Sequence, residues 1–301
     1  MTTWPALDPE LAERLMLGDA AFRAMIDEFM AALELPAYDD AFYERAIAYP
    51  WSRPAGSYAL DGETVLPLTP GNAALIGGDL AARTPLLAIG SNGAPSTLAR
   101  KFAHLPREEQ QVLVVAGHLH GFDVGPAARI TPYGSLPATP FVSPETAVRA
   151  SVLWVTQAQL TALTWTELSY FVGWIGPTEF EPDVPEAATG TPAVDHALLY
   201  VSRWGTLTDH DGLPLALDSL AARDRTAAAR GQAELLERVA NEVHGPSVDG
   251  RRLLRRLADA PLTFMRELEP WMAQHAAPFD SHLWHPFPRE PRGGPEPTHH
   301  Q

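Results

Sequence analysis

A chain of 301 residues with 46% hydrophobic content can bury one sizeable core, with or without appended helices. It has no cysteine, which excludes disulfides, thiolate nucleophiles and zinc–thiolate centres; its 37 acidic residues against 22 basic ones give a net charge of −15, which argues against nucleic acid or an anionic membrane as partner. No apolar run approaches the roughly 18 residues of a membrane span, and the start Met1-Thr2-Thr3-Trp4-Pro5 lacks the order of a secretory signal, so a cytoplasmic protein is expected.

The N-terminal part reads as helical. From Asp19 to Leu33, Phe22, Met25, Ile26, Phe29, Met30 and Leu33 recur at helical spacing behind Asp19 as N-cap. A second helix is predicted over Asp39 to Ala48, stopped by Pro50. A Pro- and Gly-punctuated passage follows, with a hairpin at Asp61-Gly62 and a short helix over Asn72 to Ala82. From Pro85 the character changes. Val112 to Leu119, Leu136 to Val142, Val148 to Val155, Leu168 to Ile175, Ala197 to Trp204 and Leu213 to Leu217 read as short strands, the last after a turn at Asp211-Gly212. So many strands with so few helices between them predict an α+β protein built on a small mixed or antiparallel β-barrel. After Asp218 the pattern is helical again, over Leu220 to Val243, Val248 to Ala258 and Leu262 to Ala276. Arg251, Arg252, Arg255 and Arg256 make a basic face that reads as solvated or as paired with acids of the same protein. The expected division is a helical extension over 1–83, the barrel over 84–217, C-terminal helices over 218–277 and a Pro/His-rich tail over 278–301, with Gly293 to Gln301 disordered.

The stretch with most chemical content is Pro85 to Gly93. An apolar run ends in Gly90-Ser91-Asn92-Gly93 and a helix begins near Ser96. A strand, a small-residue turn and a helix start bring unpaired N–H groups together, a cradle for a carboxylate or an oxyanion. The plainer reading is an ordinary turn in which Asn and Gly tolerate positive φ. Glu167 is the second candidate. Set among Leu163, Trp165, Leu168 and Tyr170, it is expected in apolar surroundings that raise its pKa toward neutrality, the range an acid/base needs. Its plainer reading is a capping box, Thr164-Trp165-Thr166-Glu167, that closes a helix start. Tyr170 reads as a core residue whose hydroxyl is a candidate pocket group.

In order along the chain, Gly90-Ser91-Asn92, Gly117-His118-Leu119-His120-Gly121-Phe122-Asp123, Pro137-Ala138-Thr139-Pro140, Val152-Leu153-Trp154-Val155-Thr156 and Leu163-Thr164-Trp165-Thr166-Glu167 resemble the gamma-glutamylcyclotransferase-like family, from Leu86 to Ile175. That resemblance implies a small barrel with a pocket at one end. It also implies cyclisation of a γ-glutamyl amide to 5-oxoproline with release of the amine, and Glu167 in the place of the family's acid/base. Ile89, Gly90, Ser91, Asn92, Gly93 and Tyr170 would then bind substrate, with no cofactor and no metal. Two departures stand out: Ile89 replaces the tyrosine that leads the family's turn, and Gly93 replaces a large apolar residue. The partner is then a small γ-glutamyl or amide substrate, and the helical extensions are where a homo-oligomer would form.

Three other readings compete. The same fold without catalysis would serve as a binding or assembly module. Ser91 on a strand-to-helix turn imitates the nucleophile of a serine hydrolase, with His196 and Asp195, or His210 with Asp209 and Asp211, as partners, although Ile89 stands where that motif needs glycine. His118 and His120, on one face of a strand near Asp123, have the residue types of a metal site, with rim histidines as the plainer reading. Lys101 is the sole lysine, so amine chemistry could occur nowhere else in the chain.

Overall fold

Leu86, Leu87 and Ala88 bury their side chains in alternation: Leu87 faces one hydrophobic cluster, and Leu86 and Ala88 the other. The same alternation runs through Val112 to Val115, Val152 to Val155 and Ala197 to Val201. Strands buried on both faces lose the polar alternation of a half-wet sheet and read as continuous apolar runs. The computed structural model describes residues 4–75, 80–184, 191 and 193–288.

One mixed, mostly antiparallel sheet forms the centre. Its strands are β1 (Tyr58–Asp61), β2 (Thr64–Pro67), β3 (Thr84–Ala88), β4 (Gln111–Pro126), β5 (Ala138–Val155), β6 (Tyr170–Ile175), β7 (Phe180–Pro182), β8 (Ala197–Ser202), β11 (Ala222–Arg223) and β14 (Trp284–Pro286). Between them in sequence lie four two-residue strands: β9 (Thr206–Leu207), β10 (Ala216–Leu217), β12 (Ala229–Arg230) and β13 (Ala276–Ala277). The main order is β14-β6-β8-β3-β5-β4-β1-β2, with β11 on β5 and β7 on β4. Among the described residues the path ends at β14 and β2 without closing, so the predicted barrel is an open sheet instead. Closure is not needed to bury its faces, because helices cover both. Helix α1 (Pro9–Met16), α5 (Pro95–Phe102) and α6 (Gln157–Thr166) send Leu11, Leu15, Leu98, Phe102, Leu160 and Leu163 into one cluster. Helix α3 (Asp40–Ile47) and α7 (Gln232–His244), α8 (Gly250–Asp259) and α9 (Pro261–Gln274) cover the other face with residues such as Leu235, Val239, Leu253, Leu257, Phe264 and Leu268. Two further helices are α2 (Asp19–Ala32) and α4 (Pro70–Leu75).

Several boundaries differ from expectation. The strands expected over Leu136 to Val142 and Val148 to Val155 are parts of one strand, β5, which starts at Ala138 and pairs with β4 from Leu113↔Trp154 to Pro126↔Ala138. A bulge between His120 and Phe122, with Gly121 at φ 80°, bends this long pair. The helix predicted from Leu220 begins only at Gln232, because Ala222–Arg223 and Ala229–Arg230 are strands. The Asp61-Gly62 hairpin forms as read. The helix over Asn72 to Ala82 resolves into α4 and a 3₁₀ turn at Leu80–Ala82, with 76–79 outside the described residues. Within 278–301, Trp284–Pro286 is an edge strand on β6, while Gly293 to Gln301 lies outside the described residues. The sheet therefore draws strands from both sides of 84–217. Among the described residues no helix is long and apolar enough to cross a membrane.

Candidate functional site

Strand β3 delivers Ile89 and Gly90 to the 3₁₀ turn Ser91–Gly93, and α5 starts directly behind it with Pro95 in its first turn. Two amides of this region close the turn itself: Gly93 N–H donates to Gly90 O at 3.1 Å and Ala94 N–H to Ser91 O at 2.9 Å. Neither Gly90 nor Gly93 has a positive φ, so φ is not why glycine stands there. At Gly90 the reason is close approach: a Cβ would lie 2.7 Å from the Tyr49 hydroxyl and 3.0 Å from Ala138 Cβ.

Tyr49 comes from the N-terminal segment, outside the stretch that carries the family resemblance. Its hydroxyl accepts from Ala138 N–H at 2.8 Å and also lies against the Ser91 amide. It is almost wholly buried, and that burial pushes its pKa up to about 12. The phenol is neutral at any physiological pH, and its own proton remains free to donate.

Glu167 does not sit at a helix start. It is the residue that ends α6, and the capping box of that helix is Thr156 with Gln159. Its side chain turns to the Gly90–Gly93 loop instead. Glu167 Oε1 accepts from Lys101 Nζ at 2.7 Å and from Asn92 Nδ2 at 3.1 Å, and Lys101 Nζ also donates to Asn92 Oδ1 at 2.8 Å. The three residues form a closed ring in which each bonds the other two. The ring fixes the Asn92 amide, since only its oxygen can accept from an ammonium and only its nitrogen can donate to a carboxylate. Lys101 is 6% exposed and Glu167 15% exposed at the side chain. The apolar surroundings read from the neighbours of Glu167 in sequence are thus replaced by a cation and an amide brought from α5 and the turn.

A cavity of about 700 Å³ opens onto this ring. Ile89, Gly90, Ser91, Asn92, Glu167 and Tyr170 are on its wall, together with Tyr49, Tyr133 and Arg129. Gly93 is not on its wall; its carbonyl accepts from Tyr58 OH at 3.0 Å. The Tyr170 hydroxyl donates to Ala138 O at 3.2 Å, and burial pushes its pKa well above the ordinary phenol value. Tyr170 is accordingly both a core residue and part of the wall. Helix α2 contributes Met25, Ile26, Phe29 and Met30, so the N-terminal arm forms a wall of the cavity and leaves Glu167 partly exposed.

The residues of the rival readings part company. His120 Nε2 lies 3.2 Å from Glu181, whereas Asp123 is fully buried in a bidentate pair with Arg225 at 2.8 and 2.9 Å. Among the described residues no three His, Asp or Glu side chains gather as metal ligands. Asp209 accepts from the amides of Asp211 and Leu213 as a turn residue, and His196 packs on Gly176. The basic face of α8 meets acids of its own chain, Arg251 with Asp40 and Glu44 and Arg256 with Glu267. Sequence reasoning missed Lys101 as a site residue, together with Tyr49, Tyr133 and Arg129. Only Lys101 left a signal, as the one lysine in a chain that otherwise uses arginine for every strong cation.

Comparison with protein-family models, with curated proteins and with solved structures finds no match. The reading of this site therefore rests on its own geometry.

Proposed function

We propose that this protein is a gamma-glutamylcyclotransferase-like enzyme that cyclises a γ-glutamyl amide to 5-oxoproline and releases the amine. The observation that carries the reading is the position of Glu167: it faces the Gly90–Asn92 turn at the edge of a cavity of about 700 Å³, tied to that turn through Asn92.

The chemistry asks for little beyond these parts. The substrate's α-amine must lose a proton before it can attack its own γ-carbonyl carbon, and the departing amine must gain one. Lys101 and Asn92 both bind Oε1 of Glu167, which leaves Oε2 to take the proton from the α-ammonium group. The amine then forms the ring C–N bond, and the amide C–N bond breaks as Glu167 gives its proton to the leaving nitrogen. The ring nitrogen sheds its second proton to Glu167, which passes it to the released amine, so the products are the neutral lactam and an ammonium ion, and atoms and charge balance without water. Ring closure is intramolecular, so the protein's chief task is to hold the chain folded back on itself. Tyr49, with its phenol proton free, lies beside the turn where the γ-carbonyl oxygen gains charge, and one such donor is worth about 3 kcal/mol in the barrier. It also bears on the departure at Ile89: the family's turn opens with a tyrosine, and here a phenol reaches the same turn from position 49.

The binding-module reading would be favoured by helical arms packed across the mouth of the pocket; Glu167 lines the cavity and its side chain keeps some exposure, which supports the enzyme reading. The test is 5-oxoproline release from γ-glutamyl amides and amines by the wild type and by Glu167→Gln. The amide keeps an oxygen acceptor for Lys101 and Asn92 but cannot carry the proton. Turnover by the wild type and its loss in a folded E167Q protein are expected; equal turnover by both would overturn the assignment.

A further inference from the structure

Arg129 is 7% exposed, and its Nε and Nη1 have no hydrogen-bond partner among the described residues. One face of its guanidinium is covered, with the central carbon 4.1 Å from the centre of the Trp204 ring. Stacking satisfies the face of a guanidinium and leaves its in-plane donors unpaired. Among the described residues no carboxylate lies within ion-pair distance of it. An arginine cannot escape such a position by losing its proton. A buried cation with orphan donors costs several kcal/mol unless a partner arrives.

That partner has somewhere to come from. Arg129 is part of the wall of the same cavity as Glu167, Tyr133 and Tyr170. Glu167 is not the partner: its ion pair is with Lys101, and none joins it to Arg129. We infer that Arg129 is the anchor for a carboxylate of the ligand that fills this cavity. A singly charged carboxylate suits the place better than phosphate. Glu167 lies in the same cavity and a dianion would meet it, while Lys101 is already neutralised and adds no attraction. The assignment rests on the cyclotransferase reading and deepens it by giving the α-carboxylate of a γ-glutamyl group a seat other than the turn, two of whose amides, Gly93 and Ala94, are spent closing the turn itself.

The assignment is tested by binding rather than turnover, so that it can fail separately from the proposed reaction. Calorimetric titrations of the full chain would use 5-oxoproline, 5-oxoprolinamide, glutarate, benzoate and inorganic phosphate. The wild type is expected to bind at least one carboxylate, 5-oxoproline above all, and to prefer it over 5-oxoprolinamide by at least about tenfold. Arg129→Gln should weaken that carboxylate by about 100-fold, the scale of losing one partner of a buried charged pair, and leave the amide unchanged. Arg129→Met, free of ligand, should melt higher than the wild type, since it removes an unpaired buried charge. Arg129→Lys, which keeps the charge, should bind with intermediate affinity, and it serves where either other variant fails to fold. Binding of glutarate or benzoate through Arg129, with no binding of 5-oxoproline, would uphold the anchor and count against the cyclotransferase reading. Failure of all three carboxylates to bind, equal binding of acid and amide, preference for phosphate, or a lower melting temperature in Arg129→Met would each overturn the anchor.

Discussion

Replacing Lys101 by methionine probes the ring that holds Glu167. At 2.7 Å a pair of unit charges attracts by about 6 kcal/mol at an effective dielectric of about 20, most of which offsets the desolvation of both groups. Methionine keeps the length and apolar stem of the side chain but leaves Glu167 without its cation. Removing one partner of a buried pair costs about 3–5 kcal/mol, and the lower end applies here because Glu167 is 15% exposed and retains Asn92. Lys101→Met should therefore lose about 3 kcal/mol at pH 7, read from urea unfolding followed by tryptophan fluorescence. Glu167→Leu alone should cost a similar amount by stranding Lys101. The double variant K101M/E167L replaces both charges with apolar groups and should recover at least about 2 kcal/mol relative to the sum of the singles. Additive losses would refute the coupling and, with it, the claim that Lys101 fixes the Glu167 carboxylate.

Tyr49→Phe strands the Ala138 N–H and should destabilise by about 1–3 kcal/mol in thermal unfolding, with a drop in turnover as well; no change in either would remove Tyr49 from the site. Gly90→Ala should cut activity more than stability, because its Cβ would meet the Tyr49 hydroxyl at 2.7 Å and push the phenol off the turn; unaltered kinetics would contradict that placement. Asp123→Asn should cost about 3–5 kcal/mol by leaving Arg225 with half a partner at a fully buried position, measured by denaturant unfolding. Burial, together with nearby arginines, lowers the pKa of His118 (Arg223 and Arg149) and of His244 (Arg256). The unfolded chain then takes up protons before the folded one. The stability these residues contribute is present above about pH 6.5 and falls away as pH drops through their lower folded values, so H118Q/H244Q should flatten the stability curve below pH 6.5.

What the sequence made legible follows from what is local. The strands β3, β4, β6 and β8 and the α8 and α9 helices could be read because their apolar residues repeat at the period of the element they form. The 12-residue loss at the start of α7 could not. Residues 222–230 have helix-compatible composition, and only pairing with β5 and β10 makes Ala222–Arg223 and Ala229–Arg230 strands. The open sheet was equally hidden, since its edges come from β2 and β14, more than 200 residues apart. At the site, the turn and Glu167 were visible because a strand–turn–helix junction and a lone acid among apolar residues are local patterns. Lys101, Arg129 and Tyr49 reach the cavity from α5, from just beyond β4 and from beyond α3, and no periodicity marks such a convergence. The environment inferred for Glu167 failed for the same reason: its sequence neighbours are apolar, but its contacts are Lys101 and Asn92.

The most direct test of the account is chromatographic detection of 5-oxoproline after incubating the purified protein with a panel of γ-glutamyl amides and amines, in parallel with E167Q. The account predicts stoichiometric 5-oxoproline and free amine from at least one substrate with the wild type, and none above background with a folded E167Q protein. No product from any member of the panel, or product formed equally by E167Q, would contradict it.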